Sequence, residues 1–243
     1  MTEAENSAAE LRRRVAAEPG RADDPPHVVG RLNRLCRAAA KVLDADGVGI
    51  SVLSSDGAPA QVAASDPRSS DVEELQFTLG EGPCLDVFQS GHPVLCPDLT
   101  QLGRSRWAGY TPAVQERGVQ AVFAFPMQVG AARLGALDVY RDRIGGLGRT
   151  TENQALILAD IALHDLVEAV SRTRPGTVET AADVMDGPRE IYQAQGIVMV
   201  QLGVDIVEAM VRLRAYAYAH DRALADVAHD VVTRRLQLED DAS

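Results

Sequence analysis

The residues of this 243-residue chain from which a reactive centre would most readily be built are its thiols, imidazoles and guanidinium groups. Cys36, Cys84 and Cys96 form neither a dense disulfide framework nor a C-x-x-C pair. That usage suits a reducing compartment and leaves them as small hydrophobes. His27, His92, His164, His220 and His229 match neither the H-E-x-x-H spacing of a zinc helix nor a nucleophile and base context. Gly80-Glu81-Gly82 is too short for a phosphate loop, which closes on Gly-Lys-Ser/Thr, and reads as a turn that brings the chain close to a sheet. What remains is a cationic set near the C-terminus, Arg189, Arg212, Arg214, Arg222, Arg234 and Arg235. These can neutralise phosphates, and Tyr216 and Tyr218, two apart on one segment, point in different directions, so that one can stack on an unpaired base. Each has an ordinary role beside that one, a solvated or ion-paired Arg and a core Tyr.

The formal charge of -11 disfavours indiscriminate binding to nucleic acid, so any such contact must use a local patch. The C-terminal segment itself is acidic, with eleven Asp and Glu residues from Asp183 to Asp241. The length is enough for two modest domains. No apolar run approaches the roughly 18 residues of a membrane span, and the polar start Met1-Thr-Glu-Ala-Glu-Asn6 lacks the order of a signal peptide, so a cytoplasmic protein is expected.

The elements that must position these residues are legible in part. Residues 1–27 read as a mobile leader with a helical turn around Leu11 to Ala17. Val29, Leu32, Leu35-Cys36, Ala39 and Val42-Leu43 recur at helical spacing until Gly47. Gly47 to Leu53 and Ala60 to Ala64 read as strands joined by a hairpin at Ser54-Ser-Asp-Gly57, and Val119 to Val129 and Arg133 to Tyr140 as a second pair. Between the pairs, Pro83 at a first helical position and Gly91 past the end frame a short helix presenting Leu85 and Phe88 to the sheet, followed by a strand at Val94 to Cys96. Thr151-Glu-Asn-Gln154 has capping-box form ahead of a helix with Leu156, Ala159, Leu163, Val167 and Val170 on one face. That stripe packs on its own sheet or, shared with the Val29 to Leu43 helix, makes a dimer.

This ordering, with Gly80-Glu-Gly82, Pro93-Val94, Pro97-Asp98-Leu99, Phe125-Pro126 and Leu134-Gly135-Ala136-Leu137, resembles a GAF domain over residues 28–171, in the form found in actinobacterial GAF-ANTAR proteins. The resemblance implies an antiparallel sheet with helices on one side, a small-molecule pocket on the other and terminal helices that often dimerise. Its ligand or protein signal is unknown, as is any cofactor. Some GAF-fold enzymes reduce free methionine sulfoxide with pocket cysteines. Cys84 and Cys96 occupy a comparable loop region, whereas Cys36 lies upstream rather than downstream, and the chain is read as not an enzyme.

After a connection at 172–187, three short amphipathic helices are predicted within 188–238. The first runs from Pro188 through Ile191, Ala194, Val198 and Leu202 to Gly203. The second is capped by Asp205 and carries Ile206, Ala209-Met210, Leu213 and Ala217, and the third carries Leu224, Val227-Ala228, Val231 and Leu236. The fold class is therefore α+β followed by a small all-α unit. Ala194, Gly196, Ile197-Val198-Met199, Ala209, Leu213-Arg214, Ala217, Leu224 and Val227-Ala228 resemble the ANTAR domain in order and spacing. The family's Lys after the first Ala is Gln195 here, which keeps hydrogen bonding and loses charge. The resemblance implies a signal-responsive RNA-binding regulator of transcription antitermination that recognises paired hairpins, as a homodimer. Its candidate contacts are Arg189, Gln195, Arg212, Arg214, Tyr218 and Arg222. A GAF-dependent protein-interaction module whose bundle no longer binds RNA is the alternative, and a thiol reductase a third.

Overall fold

Strand alternation decides the architecture. On β1 (Gly47–Leu53) and β5 (Ala132–Arg141), Val48, Ile50, Val52, Leu137 and Val139 enter one buried cluster, whereas Ala136 and Tyr140 enter another. With β4 (Ala121–Val129), β2 (Pro59–Ala64) and β3 (Val94–Cys96), these strands form an antiparallel sheet in the order β2-β1-β5-β4-β3. Two dry faces require two covering layers. The computed structural model describes residues 3–25, 27–53, 59–172 and 188–238. The expected hairpin turn at 54–57 and almost all of the 172–187 connection lie outside the described residues.

One face is covered by α1 (Glu3–Ala17), α2 (His27–Val42) and α7 (Arg149–Arg172). The first departs from the leader expected over residues 1–27: α1 runs 15 residues, and Leu11 is 2% exposed within the core, which ties the segment down. In α7 the helix starts at Arg149, ahead of the expected cap at Thr151. Its inward register agrees in part: Ala159 and Leu163 are buried as expected, whereas Leu156 and Val167 are exposed, and Ala155, Leu158, Ile161, Ala162 and Leu166 complete the inner face. The side chain of Val170 is outside the described residues.

The opposite face carries α3 (Pro67–Leu79), α4 (Pro83–Ser90), a π-helical turn at Leu99–Gly103, the short α5 (Arg104–Arg106) and α6 (Tyr110–Glu116). Helix α4 and strand β3 lie where the punctuation at Pro83 and Gly91 places them. Phe88 is buried as expected, Leu85 packs at the margin, and Cys84 and Val87 fill the interior. Helix α3 has no counterpart in the sequence reading and covers the face from which a pocket was expected.

The C-terminal unit is a three-helix bundle of α8 (Pro188–Leu202), α9 (Ile206–Ala219) and α10 (Leu224–Val232). Gly203 ends α8 with φ +64°, and the Asp205 carboxylate accepts the Glu208 amide at 2.8 Å to cap α9. Ala194, Val198, Ala209, Leu213, Ala217, Leu224, Val227, Ala228 and Val231 make its core. Ile206, expected on the inner face, is exposed. Among the described residues no helix is long and apolar enough to cross a membrane.

Candidate functional site

Two sites stand on opposite faces of α3. The inner one begins with two carboxylates under the sheet. Asp138 on β5 and Glu73 on α3 are both buried, and Gln76, one helical turn beyond Glu73, bridges them. Its amide nitrogen donates to Asp138 Oδ2 at 2.8 Å and to Glu73 Oε2 at 3.1 Å. Ser51 Oγ donates to the same Glu73 oxygen at 3.0 Å, and the Cys84 amide holds Gln76 by donating to its Oε1 at 2.8 Å. Glycine is required at two nearby positions, since a Cβ on Gly49 would collide with the Glu73 carboxylate and one on Gly82, at φ +146°, with the Gln76 amide. In the Gly80-Glu81-Gly82 turn the close approaches are to Arg214 of the bundle and Gln76 of α3, where an approach to the sheet was expected. Glu81 adds a fastening, its carboxylate accepting the Tyr110 amide at 2.7 Å at the start of α6.

Burial pushes Asp138 up to about 7, and burial together with the neighbouring Asp138 charge pushes Glu73 well above the usual carboxylate range. One oxygen of each, Glu73 Oε1 and Asp138 Oδ1, has no hydrogen-bond partner, and neither has the buried Tyr110 hydroxyl. The Cys84 sulfur completes a group in which one donor atom from each of Glu73, Cys84 and Asp138 lies within 4.8 Å of the others. As thiols, Cys84 and Cys96 are poorly set for catalysis: both are buried free cysteines, and burial raises both above the ordinary thiol range, reducing the thiolate.

The outer site is the junction between α3 and the bundle. Glu74 lies about 100° round the helix from Glu73, and its Oε1 accepts the Leu224 amide at 3.1 Å. Helix α10 has no side-chain cap of its own at Ala223, so a carboxylate from the sheet domain serves there. Burial raises Glu74 to about 7. Gly80, which ends α3 with φ +71°, lies against the Arg214 guanidinium, and a Cβ at that position would overlap it. Arg214 Nε is buried without a partner. Arg117 and Asp221 add a long, exposed ion pair at 3.7 Å, which contributes little. A cleft of about 210 Å³ lined by Glu74, Leu75, Thr78, Ala217, Tyr218 and Arg222, among others, runs along this junction.

The other expected contact residues are spread over the bundle. Gln195 is 8% exposed, and its amide donates to the Ile206 carbonyl at 2.5 Å, tying α8 to α9. Arg212 pairs with Glu208 at 2.8 Å and Arg222 with Asp230 at 2.6 Å. Tyr218 is exposed and borders the cleft, whereas Tyr216 stacks on His220 with ring centroids 4.0 Å apart. The side chain of Arg189 lies outside the described residues. The structure therefore brings Arg214, Tyr218 and Arg222 to the α3 junction and leaves Arg212 and Gln195 elsewhere. Glu73, Glu74, Gln76 and Asp138 were not singled out by sequence. Asp66-Pro67-Arg68-Ser69, in which Asp66 accepts the Ser69 amide at 3.0 Å to start α3, is the signal that would have found three of them.

Comparison with known proteins agrees with this division. The GAF domain family model matches residues 30–163, and the ANTAR domain model matches residues 179–232. A search of curated proteins returns no match. Among solved structures, the GAF domain of a phosphoenolpyruvate-protein phosphotransferase from Coxiella burnetii superposes with a TM-score of 0.52 at 16% identity, covering 70% of this chain and 98% of that one. The GAF domain of the Acinetobacter phosphoenolpyruvate-protein phosphotransferase gives 0.51 at 12% identity, covering 70% and 97%. Both are similarities of fold alone.

Proposed function

The chain belongs to the GAF domain family and carries an ANTAR domain behind it, and from that premise we propose that it is a signal-responsive, RNA-binding regulator of transcription antitermination whose GAF domain controls its ANTAR output. One observation carries the control. Arg214, at the position of the ANTAR family's Arg, is held against Gly80 of the GAF domain, and Glu74 of the same helix caps α10. In this arrangement the GAF domain covers a cation that would face phosphate.

Helix α3 supplies the coupling, because Glu73 and Gln76 reach the polar cluster under the sheet while Glu74 and Thr78 line the ANTAR junction. A signal acts by binding the undocked arrangement better than the docked one, since equal affinity would shift no population. Released, Arg214 and Tyr218 supply a phosphate contact and a stacking face for hairpin RNA, with Arg222, once it exchanges Asp230 for phosphate, Arg189 and Arg212 adding cations and Gln195 serving the bundle. A homodimer, using the exposed Leu156 and Val167 side of α7, would set two modules beside two hairpins and raise their effective concentration. Nascent transcripts place this work in the cytoplasm.

Filter binding of the full chain to dual-hairpin RNA tests the reading. Binding that falls with salt and is weakened about tenfold by Arg214→Ala is expected, for a half-buried cation turned to phosphate. No binding at low salt, with cell extract supplying any signal, would assign the bundle to protein interaction instead.

A further inference from the structure

The polar cluster beneath the GAF sheet is built as a set of ligands. Glu73, Asp138 and Cys84 are 0%, 1% and 0% exposed, and no Arg, Lys or His donates to either carboxylate among the described residues. Two acidic side chains in a dry interior without a counter-ion are costly. The hydrogen bonds show an arrangement rather than an accident. Glu73 Oε2 is held by Ser51 and Gln76 and Asp138 Oδ2 by Gln76, the two carboxyl groups share a side-chain hydrogen bond, and Glu73 Oε1 and Asp138 Oδ1 stay buried without a partner. Outer donors that orient a carboxylate and leave one oxygen free are what a monodentate metal ligand requires. Tyr110, which also presents a buried hydroxyl with no partner, lies near enough for the charges of Asp138 and Glu73 to act on it.

We propose that Glu73, Cys84 and Asp138 bind one divalent transition-metal ion of the zinc and ferrous class, with Gln76 and Ser51 as positioning residues. The donor atoms lie within 4.8 Å of one another, and a small side-chain closure brings them to the roughly 2.0–2.3 Å bonds that thiolate and carboxylate make to zinc. The sulfur selects borderline cations over magnesium or calcium, which take oxygen alone. Burial excludes chelation by exposed acids and gives the ion a fixed, enclosed seat. The consequence for control rests on the functional reading above: the ion would pull on Glu73, one residue from the Glu74 cap, and so act on the ANTAR junction through α3. The site itself stands without that reading.

Cobalt titration of the purified full chain tests the site without RNA. One equivalent of Co²⁺ is expected to give a near-ultraviolet thiolate-to-cobalt charge-transfer band, displaced by Zn²⁺ and not by Mg²⁺. Cys84→Ala abolishes the band, while Cys36→Ala and Cys96→Ala keep it. Because Cys84 lies in the core, isosteric Asp138→Asn gives a second reading, a loss of at least about tenfold in Co²⁺ affinity with the fold confirmed by circular dichroism. Absence of the band in the folded wild-type chain, its persistence in Cys84→Ala, or equal displacement by Mg²⁺ would overturn the assignment. RNA binding that survives such a result would leave the regulatory reading intact.

Discussion

Gly80→Ala, set beside a matched control, separates the docking of the ANTAR bundle from the stability of the chain. Gly80 has φ +71°, so alanine there costs about 1–2 kcal/mol of left-handed strain. That strain is the same whether the bundle is docked or free. The collision of the new Cβ with the Arg214 guanidinium exists only when docked. Overpacking costs about 1–3 kcal/mol, and the struck group is the end of a flexible side chain whose Nε makes no hydrogen bond, so the lower part of that range applies. Where the docked state dominates, the apparent dissociation constant for RNA is the intrinsic one divided by the competent fraction. A loss of about 1–2 kcal/mol from the docked state therefore tightens RNA binding by about 5- to 30-fold. Gly91→Ala is the matched control: φ is +70° at the end of α4, and the nearest side chains are Arg133 and Gln128, away from the bundle. Filter binding and thermal melts of both variants should show similar losses of stability and a gain of RNA affinity in Gly80→Ala alone. Equal RNA affinity in wild type and both folded variants would refute the covering role of α3.

Other perturbations reach separate parts of the account. Glu74→Gln keeps the acceptor for the Leu224 amide and removes a carboxylate that burial raises to about 7, so at pH 8 it should dock more tightly and bind RNA several-fold more weakly; unchanged affinity would count against burial of that charge in the docked state. Gln76→Ala strips both buried carboxylates of a shared donor and should lower stability by about 1–3 kcal/mol in denaturant titration. Asp24, held down to about 2 by the Arg37 guanidinium, prefers to be ionised when folded. Its contribution is thus complete above the ordinary Asp value and lost as pH falls through about 2, and Asp24→Asn should flatten that part of the acid-denaturation curve.

How far the sequence reveals this molecule depends on whether a segment buries one face or two. The bundle helices were legible because Ala194, Val198, Leu213, Val227 and Val231 repeat at helical spacing against one core. Helix α4 was marked by Pro83 and Gly91. Helix α3 was not, since its buried residues include Ser69, Glu73, Gln76 and Thr78 as well as Val72, Leu75 and Phe77, so sheet on one side and bundle on the other leave no apolar stripe. Glu73, Glu74 and Gln76 lie on that helix and were therefore missed, whereas Cys84, Arg214, Tyr218 and Arg222 are read from the sequence. The α7 stripe is legible in part: Ala159 and Leu163 face the core as expected, whereas Leu156 and Val167 do not, because the inner Ala155 and Ala162 leave little apolar signal. Family resemblance located Arg214, but only packing against Gly80 shows what holds it.

The central claim is that RNA binding and docking on α3 exclude each other. Cys36, Cys84 and Cys96 are buried, so spin labels at Glu116→Cys on the GAF domain and Gln201→Cys on the bundle, both exposed in the wild type, can be introduced selectively. Their separation, measured by pulsed electron resonance in the full chain with and without saturating dual-hairpin RNA, is the most direct test. The account predicts one narrow distance without RNA and its replacement by a longer, broader distribution when RNA is bound. The same narrow distance in the RNA-saturated protein would contradict it.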